Sequence, residues 1–204
     1  MTYRPKSVLK SFCAVAIVVV AMMLAIVAIY VVIFAAFPDQ VTETVISKPE
    51  LPWWVMVLLG PLIEELTFRL SLVRRKAFIA ATLFLACFNL VSRLAFSHQF
   101  YSTDFLLERA GVSLTAGAVL FLALHKWMSR CSYRGYFYFW ALLFGSAHLF
   151  RIDFETFLPL DYFIVLLYVA KQTVMGLLLG YVRNRNGIAS SILLHILNNA
   201  ISAL

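Results

Sequence analysis

Charged side chains are scarce: Asp, Glu, Lys and Arg make up 13% of the chain, about half the roughly 25% of a soluble globular domain. Apolar residues take their place, at 63% with a mean hydropathy of +0.89. A soluble domain carries about 45–50%, so the surplus faces lipid. Cysteine is scarce too. Cys13, Cys87 and Cys131 form no CxxC and no paired spacing, which argues against a disulfide framework or a zinc knuckle. Cys13 and Cys87 lie in apolar runs and read as buried small hydrophobes. No internal repeat or low-complexity stretch is present. At 204 residues, one helical domain fits and a second, soluble one does not.

Acid is missing wherever base is concentrated. The net charge of +7 comes from small basic clusters between apolar runs. That is the pattern of cytoplasmic anchoring on lipid headgroups, not of a nucleic-acid surface. With the N-terminus in the cytoplasm, the inner segments hold Arg4, Lys6, Lys10, Arg74, Arg75, Lys76, Lys126, Arg130, Arg134, Arg183 and Arg185, and no acid. The outer segments hold Lys48, Arg109 and Arg151, and also Asp39, Glu43, Glu50, Asp104, Glu108, Asp153, Glu155 and Asp161. The positive-inside rule then gives N-in and C-out.

A membrane-crossing helix needs about 20 largely apolar residues. Seven segments qualify or nearly do: about 12–37, 52–73, 78–97, 105–127, 136–150, 159–182 and 188–204. The expected fold is therefore an all-α, polytopic membrane bundle of about seven transmembrane helices, placed in a bacterial plasma (inner) membrane. The fifth and seventh are short and imply tilt or local thinning. The first apolar run exceeds the ~7–15 residues of a signal peptide's core and reads as a retained anchor. Residues 1–51 then form an anchor helix with an outer loop, and 52–204 the working core. Pro49 to Leu51, Trp53 and Trp54 suit an interfacial approach to the second helix. Asn186-Gly187 is a turn signal, and Gly176 with Gly180 reads as close helix packing.

Inside the spans remain Glu64, Glu65, Arg69, Asn89, Arg93, His148, Lys171, Gln172, His195, Asn198 and Asn199. Ionisable groups at the membrane centre are costly and face the bundle interior, usually with partners. Glu65 and Arg69 are four apart and can pair on one helix face. Glu64 points about 100° away. It is left as a candidate general base, or else both glutamates merely hold Arg69 and a neighbouring helix. Phe144 and His148 share a face across small residues. His195 and Asn199 share another, suiting a donor pair for an oxyanion; the alternative is interhelical hydrogen bonding. By rise per residue, Glu64 lies roughly 15 Å from Arg74 and His195 roughly 12 Å from Gly187. His148 is roughly 21 Å from Arg134, too deep unless the fifth helix starts near Phe137 or Tyr138.

EELTFR, FGSAH and HILNN, in this order and each within an apolar helix, resemble the EExxxR, FxxxH and HxxxN motifs of the CPBP family (CAAX protease and bacteriocin-processing or immunity proteins). The resemblance covers about Pro61 to Ala200. Leu70 stands where the family commonly has glycine. The gap between the first two motifs is long and holds two extra spans, an insertion at about 77–134. The resemblance implies peptide-bond hydrolysis within the membrane. Glu64 would activate water with His148 assisting, His195 and Asn199 would bind the carbonyl oxygen or oxyanion, and Glu65, Arg69 and Phe144 would support the site. The family is often described as metalloproteases, and Glu64, His148 and His195 could ligate zinc with water as the fourth ligand. No HExxH is present, and a metal-free glutamate mechanism is the alternative. The implied partners are membrane lipids and a peptide or protein substrate, with no nucleic acid. A catalytically inactive immunity or scaffold protein, or a small transporter built on Glu64, Arg93, Lys171 and the histidines, are the competing readings.

Overall fold

The computed structural model describes residues 5–41, 51–152 and 157–203, the first four by backbone alone. Among the described residues there are seven α-helices and no strand. They are α1 (Pro5–Ala36), α2 (Gly60–Arg69), α3 (Lys76–Leu94), α4 (Leu106–Arg130), α5 (Tyr133–Ala147), α6 (Asp161–Asn186) and α7 (Ile188–Ser202). Four are long and apolar enough to cross a membrane: α1 (over Leu9–Ala36), α3, α4 and α6. The second apolar segment is continuous but not uniform. A π-turn over Val55–Leu59 leads into α2, and a 3-10 turn over Leu70–Val73 follows it. α5 and α7 have 15 residues each. The approach at Pro49, and the charges of Arg4, Glu43, Lys48, Glu50, Asp153 and Glu155, lie outside the described residues. Trp53 and Trp54 are exposed.

The bundle closes around α6. Val15 and Val19 of α1, Phe144 of α5, Met175, Leu179 and Val182 of α6, and Leu194 of α7 form one buried cluster. A second joins Leu72, Ile79, Leu83, Met128, Tyr136 and Trp140. Small residues set the closest approaches. A Cβ at Gly145 would meet Thr173 Oγ1 at 2.0 Å and its backbone nitrogen at 2.9 Å. One at Gly176 would meet Ala141 O at 3.0 Å, and one at Gly180 the Phe137 ring at 2.7 Å. The Gly176/Gly180 pair thus does the helix packing expected of it.

Helix ends gather where the sequence places its basic clusters. Arg74 turns the chain in a left-handed conformation after α2, donates to Cys131 Sγ at 3.8 Å and lies over the Tyr133 and Tyr136 rings. Arg183 Nε donates to Arg69 O at 2.9 Å, and Ser11 Oγ to Asn186 Oδ1 at 3.0 Å. Gly187, at φ +93°, makes the turn between α6 and α7.

Three expectations are corrected. α5 starts at Tyr133, before the expected 136 and not later as the depth match required, because Ser132 caps it by accepting from the Gly135 N–H. Cys13 is exposed, since it lies on the outward side of α1; Cys87 is buried as expected. Arg109 is no loop charge. It is fully buried and donates to Ser92 Oγ and to the carbonyls of Ser102, Asp104, Gln99 and Phe100. One guanidinium thereby satisfies the backbone of the α3–α4 connection, where an unpaired buried carbonyl is costly.

Candidate active site

Glu65 is the anchor of the site. It is fully buried on α2 and takes contacts from three directions. Arg69 Nε lies 3.5 Å from Oε1, one turn along the same helix. His195 Nδ1 reaches Oε1 at 3.0 Å, and the Ser191 hydroxyl donates to Oε2 in a short hydrogen bond. Ser191 and His195 are four apart on α7, so one helix face supplies both. Ser191 also lies 3.0 Å from Leu179 O of α6. The guanidinium of Arg69 stacks on the Phe144 ring at 3.9 Å, and that ring also meets His148 and His195 edge-on. Phe144 therefore ties the three motifs together by contact. A cation over an aromatic face in a desolvated setting gains about 2 kcal/mol.

Glu64 points the other way. Its side chain is 25% exposed, into a cavity of about 510 Å³. Its Oε2 is buried without a hydrogen bond and lies 3.6 Å from His195 Nε2. A buried carboxylate oxygen with no donor is costly and is the atom most in need of a water or ligand. His148 follows α5 in a 3-10 turn, and its Nδ1 is 2.8 Å from Phe144 O. A carbonyl only accepts, so Nδ1 carries the proton and Nε2 is the free ring nitrogen. The same cavity is lined by His148 and Asn199, by Thr67 beneath them, and by Arg93, Gln99 and Arg151 towards its rim. His148 lines one cavity with Glu64 although α5 begins earlier than the depth match required.

Asn199 is held by a break in the backbone ladder. The Gly60 N–H reaches back five residues to Val55 O, and Pro61 has no N–H. Met56 O is left without its usual helical donor, and Asn199 Nδ2 supplies one at 3.0 Å. Its oxygen accepts from Asn198 Nδ2 at 3.0 Å. One amide N–H of Asn199 remains for the cavity. π-turns of this kind recur at functional sites.

Of the residues singled out in the sequence, Glu64, Asn89, Arg93, His148 and Asn199 line the cavity; Glu65, Arg69 and Phe144 lie behind it. His195 is 3% exposed and stands behind Glu64, between the two carboxylates, rather than on the cavity wall. Ser191 and Thr67 escaped notice, because a serine or threonine in an apolar helix carries no signal until its partner is known. The free imidazole nitrogens and Glu64 have the donor chemistry of a zinc site. Among the described residues, however, no three His, Cys, Asp or Glu side chains are gathered as a metal ion would need. The chemistry below is accordingly derived from the protein's own groups.

Neither a search of curated proteins nor one of solved structures found a match. A family model described as type II CAAX prenyl endopeptidase Rce1-like matches residues 46–201. The match runs from before the π-turn through α7 and takes in α3 and α4, the helices between the first two motifs. It supports the protease side of the resemblance and does not bear on bacteriocin processing. With its apolar helices, this is an integral membrane protein, and it belongs to the Rce1-like family of type II CAAX prenyl endopeptidases.

Proposed function

We propose that the protein is an intramembrane endopeptidase acting on membrane-associated or lipidated peptides, with Glu64 as the base that activates water. The observation that carries this is the unbonded Oε2 of Glu64, which shares one cavity with His148 and Asn199. A water between Glu64 and the free Nε2 of His148 would give its proton to the carboxylate as its oxygen attacks the scissile carbonyl carbon. The remaining N–H of Asn199 would donate to the oxyanion. The proton taken by Glu64 then passes to the leaving amine nitrogen as the C–N bond breaks. His195 is assigned to Glu64 first: its Nδ1 is fixed by Glu65, so Nε2 faces the base. It contributes to the oxyanion only when its ring is protonated and turned towards the cavity.

Exposed Leu90 of α3 and Leu143 of α5 both line the cavity, giving an apolar flank on which a lipid-borne substrate could lie. The charge bias favours N-in and C-out in a bacterial plasma membrane, with residues 1–51 as anchor, 52–204 as protease core and α3 with α4 as its insertion. The test uses detergent-purified protein on a panel of lipidated and plain hydrophobic peptides. Wild type should cleave and Glu64→Gln should not, by at least a hundredfold, while both elute and melt alike. Equal cleavage by the two would end the hydrolytic reading.

A further inference from the structure

Buried polar groups that the hydrolytic chemistry does not use lie at and beneath the cavity floor. A serine or threonine inside a helix can satisfy its hydroxyl on the carbonyl four residues back, as Ser92, Ser113 and Thr115 do here. Thr67 of α2 and Thr82 of α3 do not. Both are buried, and among the described residues neither hydroxyl has a hydrogen-bond partner. Ser71, fully buried, follows one turn after Thr67. Thr82 reaches the same region from α3: Ile79 and Leu83, on its face of the helix, pack with Leu72, Tyr136 and Trp140. Contacts around the Tyr136 hydroxyl are loose. It lies 3.5 Å from Ser71 O, and Ser71 Oγ and Trp140 Nε1 face it outside hydrogen-bond geometry. Left dry, such a group of buried donors and acceptors is costly. Buried water, which makes about three hydrogen bonds to groups of this kind, offsets that cost. It has a way in, because Thr67 and Trp140 are on the cavity wall.

We propose that Thr67, Ser71, Thr82 and Trp140 form a water-binding site beneath the cavity floor, and that it supplies the molecule Glu64 activates once substrate fills the chamber. The supply role rests on the endopeptidase reading of that cavity. Each cleavage consumes one water: its oxygen and one hydrogen end in the new carboxyl group, and its other hydrogen ends on the leaving amine. An apolar or lipid-borne substrate expels water from the chamber it enters. Water held under the floor is out of its path. Thr67 is three residues from Glu64, on the same side of α2, and both line the cavity. Its hydroxyl is therefore the step between the stored water and the base. The four groups that form the site are uncharged, which suits water rather than an ion.

The bound water can be detected without turnover. Tyr136 is 1% exposed and is not on the cavity wall. Hydroxyl radicals formed by an X-ray pulse in detergent-purified full-length protein should therefore oxidise it only where water is held beside it. Wild type should be labelled at Tyr136, and Thr82→Val several-fold less. Thermal unfolding gives a second reading through its sign. Removing a dry, unpartnered hydroxyl would raise the Tm of Thr82→Val, whereas removing one bonded to water should lower it, by about 2–4 °C. Both results should be the same in a Glu64→Gln background, which separates failure of the water site from failure of the hydrolytic reading. The supply role is read in kinetics. Thr67→Val should cut kcat by about tenfold, as loss of a hydrogen bond to the reacting water would, and leave KM unchanged. Thr67→Ser keeps the hydroxyl and should keep kcat, which a role in packing alone would not predict. An unlabelled Tyr136 in wild type, or a Tm that stays or rises in Thr82→Val, would overturn the site. A Thr67→Val enzyme with the kcat of wild type would overturn its supply of the reaction.

Discussion

Two adjacent glutamates on α2 do opposite work, and the reason is helix geometry. A step of about 100° per residue turns Glu65 into the packed interior against Arg69, His195 and Ser191, and turns Glu64 into the cavity. Their neutral variants should therefore part company. Glu65→Ala leaves the fully buried Arg69 without its carboxylate, and breaking a buried pair from one side costs about 3–5 kcal/mol. Thermal unfolding in detergent should show a large drop in Tm for Glu65→Ala and little change for Glu64→Gln, even though only the second lies in the cavity. If the two variants melt together, the division of roles is wrong. The i, i+4 spacing of Glu65 and Arg69 made that pair readable from sequence alone. The placement of His195 was not readable. Spacing put it beside Asn199 on one face of α7 but could not say that its Nδ1 would be taken by Glu65, or that Ser191 would share that carboxylate.

At the level of elements, α5 and α6 bring the second motif to the site, and their spacing is set by single atoms. Gly145 lies three residues before His148, and a methyl group there would collide with both the side chain and the backbone of Thr173. Gly145→Ala should separate the helices, lower stability by about 1–3 kcal/mol as overpacking does, and cut cleavage by displacing His148. Gly111→Ala on α4 is the control, because nothing lies within 4 Å of its Cβ position. That substitution should be neutral or stabilising by up to about 1 kcal/mol through helix propensity alone. Paired melting and cleavage measurements on the two variants would decide, and a Gly145→Ala protein as stable and active as Gly111→Ala would refute the close-packing account. Apolar runs and basic punctuation announced seven helices, because length and hydropathy are properties of the chain itself, but only four of the seven expected spans are long and apolar enough to cross a membrane as single helices. The π-turn ahead of α2 was hidden: Pro61 was visible, but its consequence depends on Asn199, 143 positions from Met56, arriving to take the freed carbonyl. Arg109 was misread for the same reason, since an arginine beside a loop looks like a surface charge until five acceptors are brought round it.

The whole molecule has two unlike ends. At one, Arg74 meets Cys131, Tyr133 and Tyr136, and Arg183 meets the end of α2. At the other, the cavity rim carries Gln99, Phe150 and Arg151, while its floor is closed by buried Thr67 and Trp140. In the proposed N-in orientation the first end faces the cytoplasm, so the cavity would open towards the outer side and receive its substrates there. Single cysteines in a background lacking the native three give a direct test in intact cells. With a membrane-impermeant thiol reagent, Gln99→Cys should label, and Ser129→Cys, exposed in the last turn of α4, should label only after the membrane is permeabilised. Both variants should first be shown to retain cleavage, so that labelling reports the working fold. The reverse pattern would turn the molecule over. The hydrolytic chemistry would survive that result, since it depends only on how the helices meet one another, but the substrate would then have to arrive from the cytoplasm.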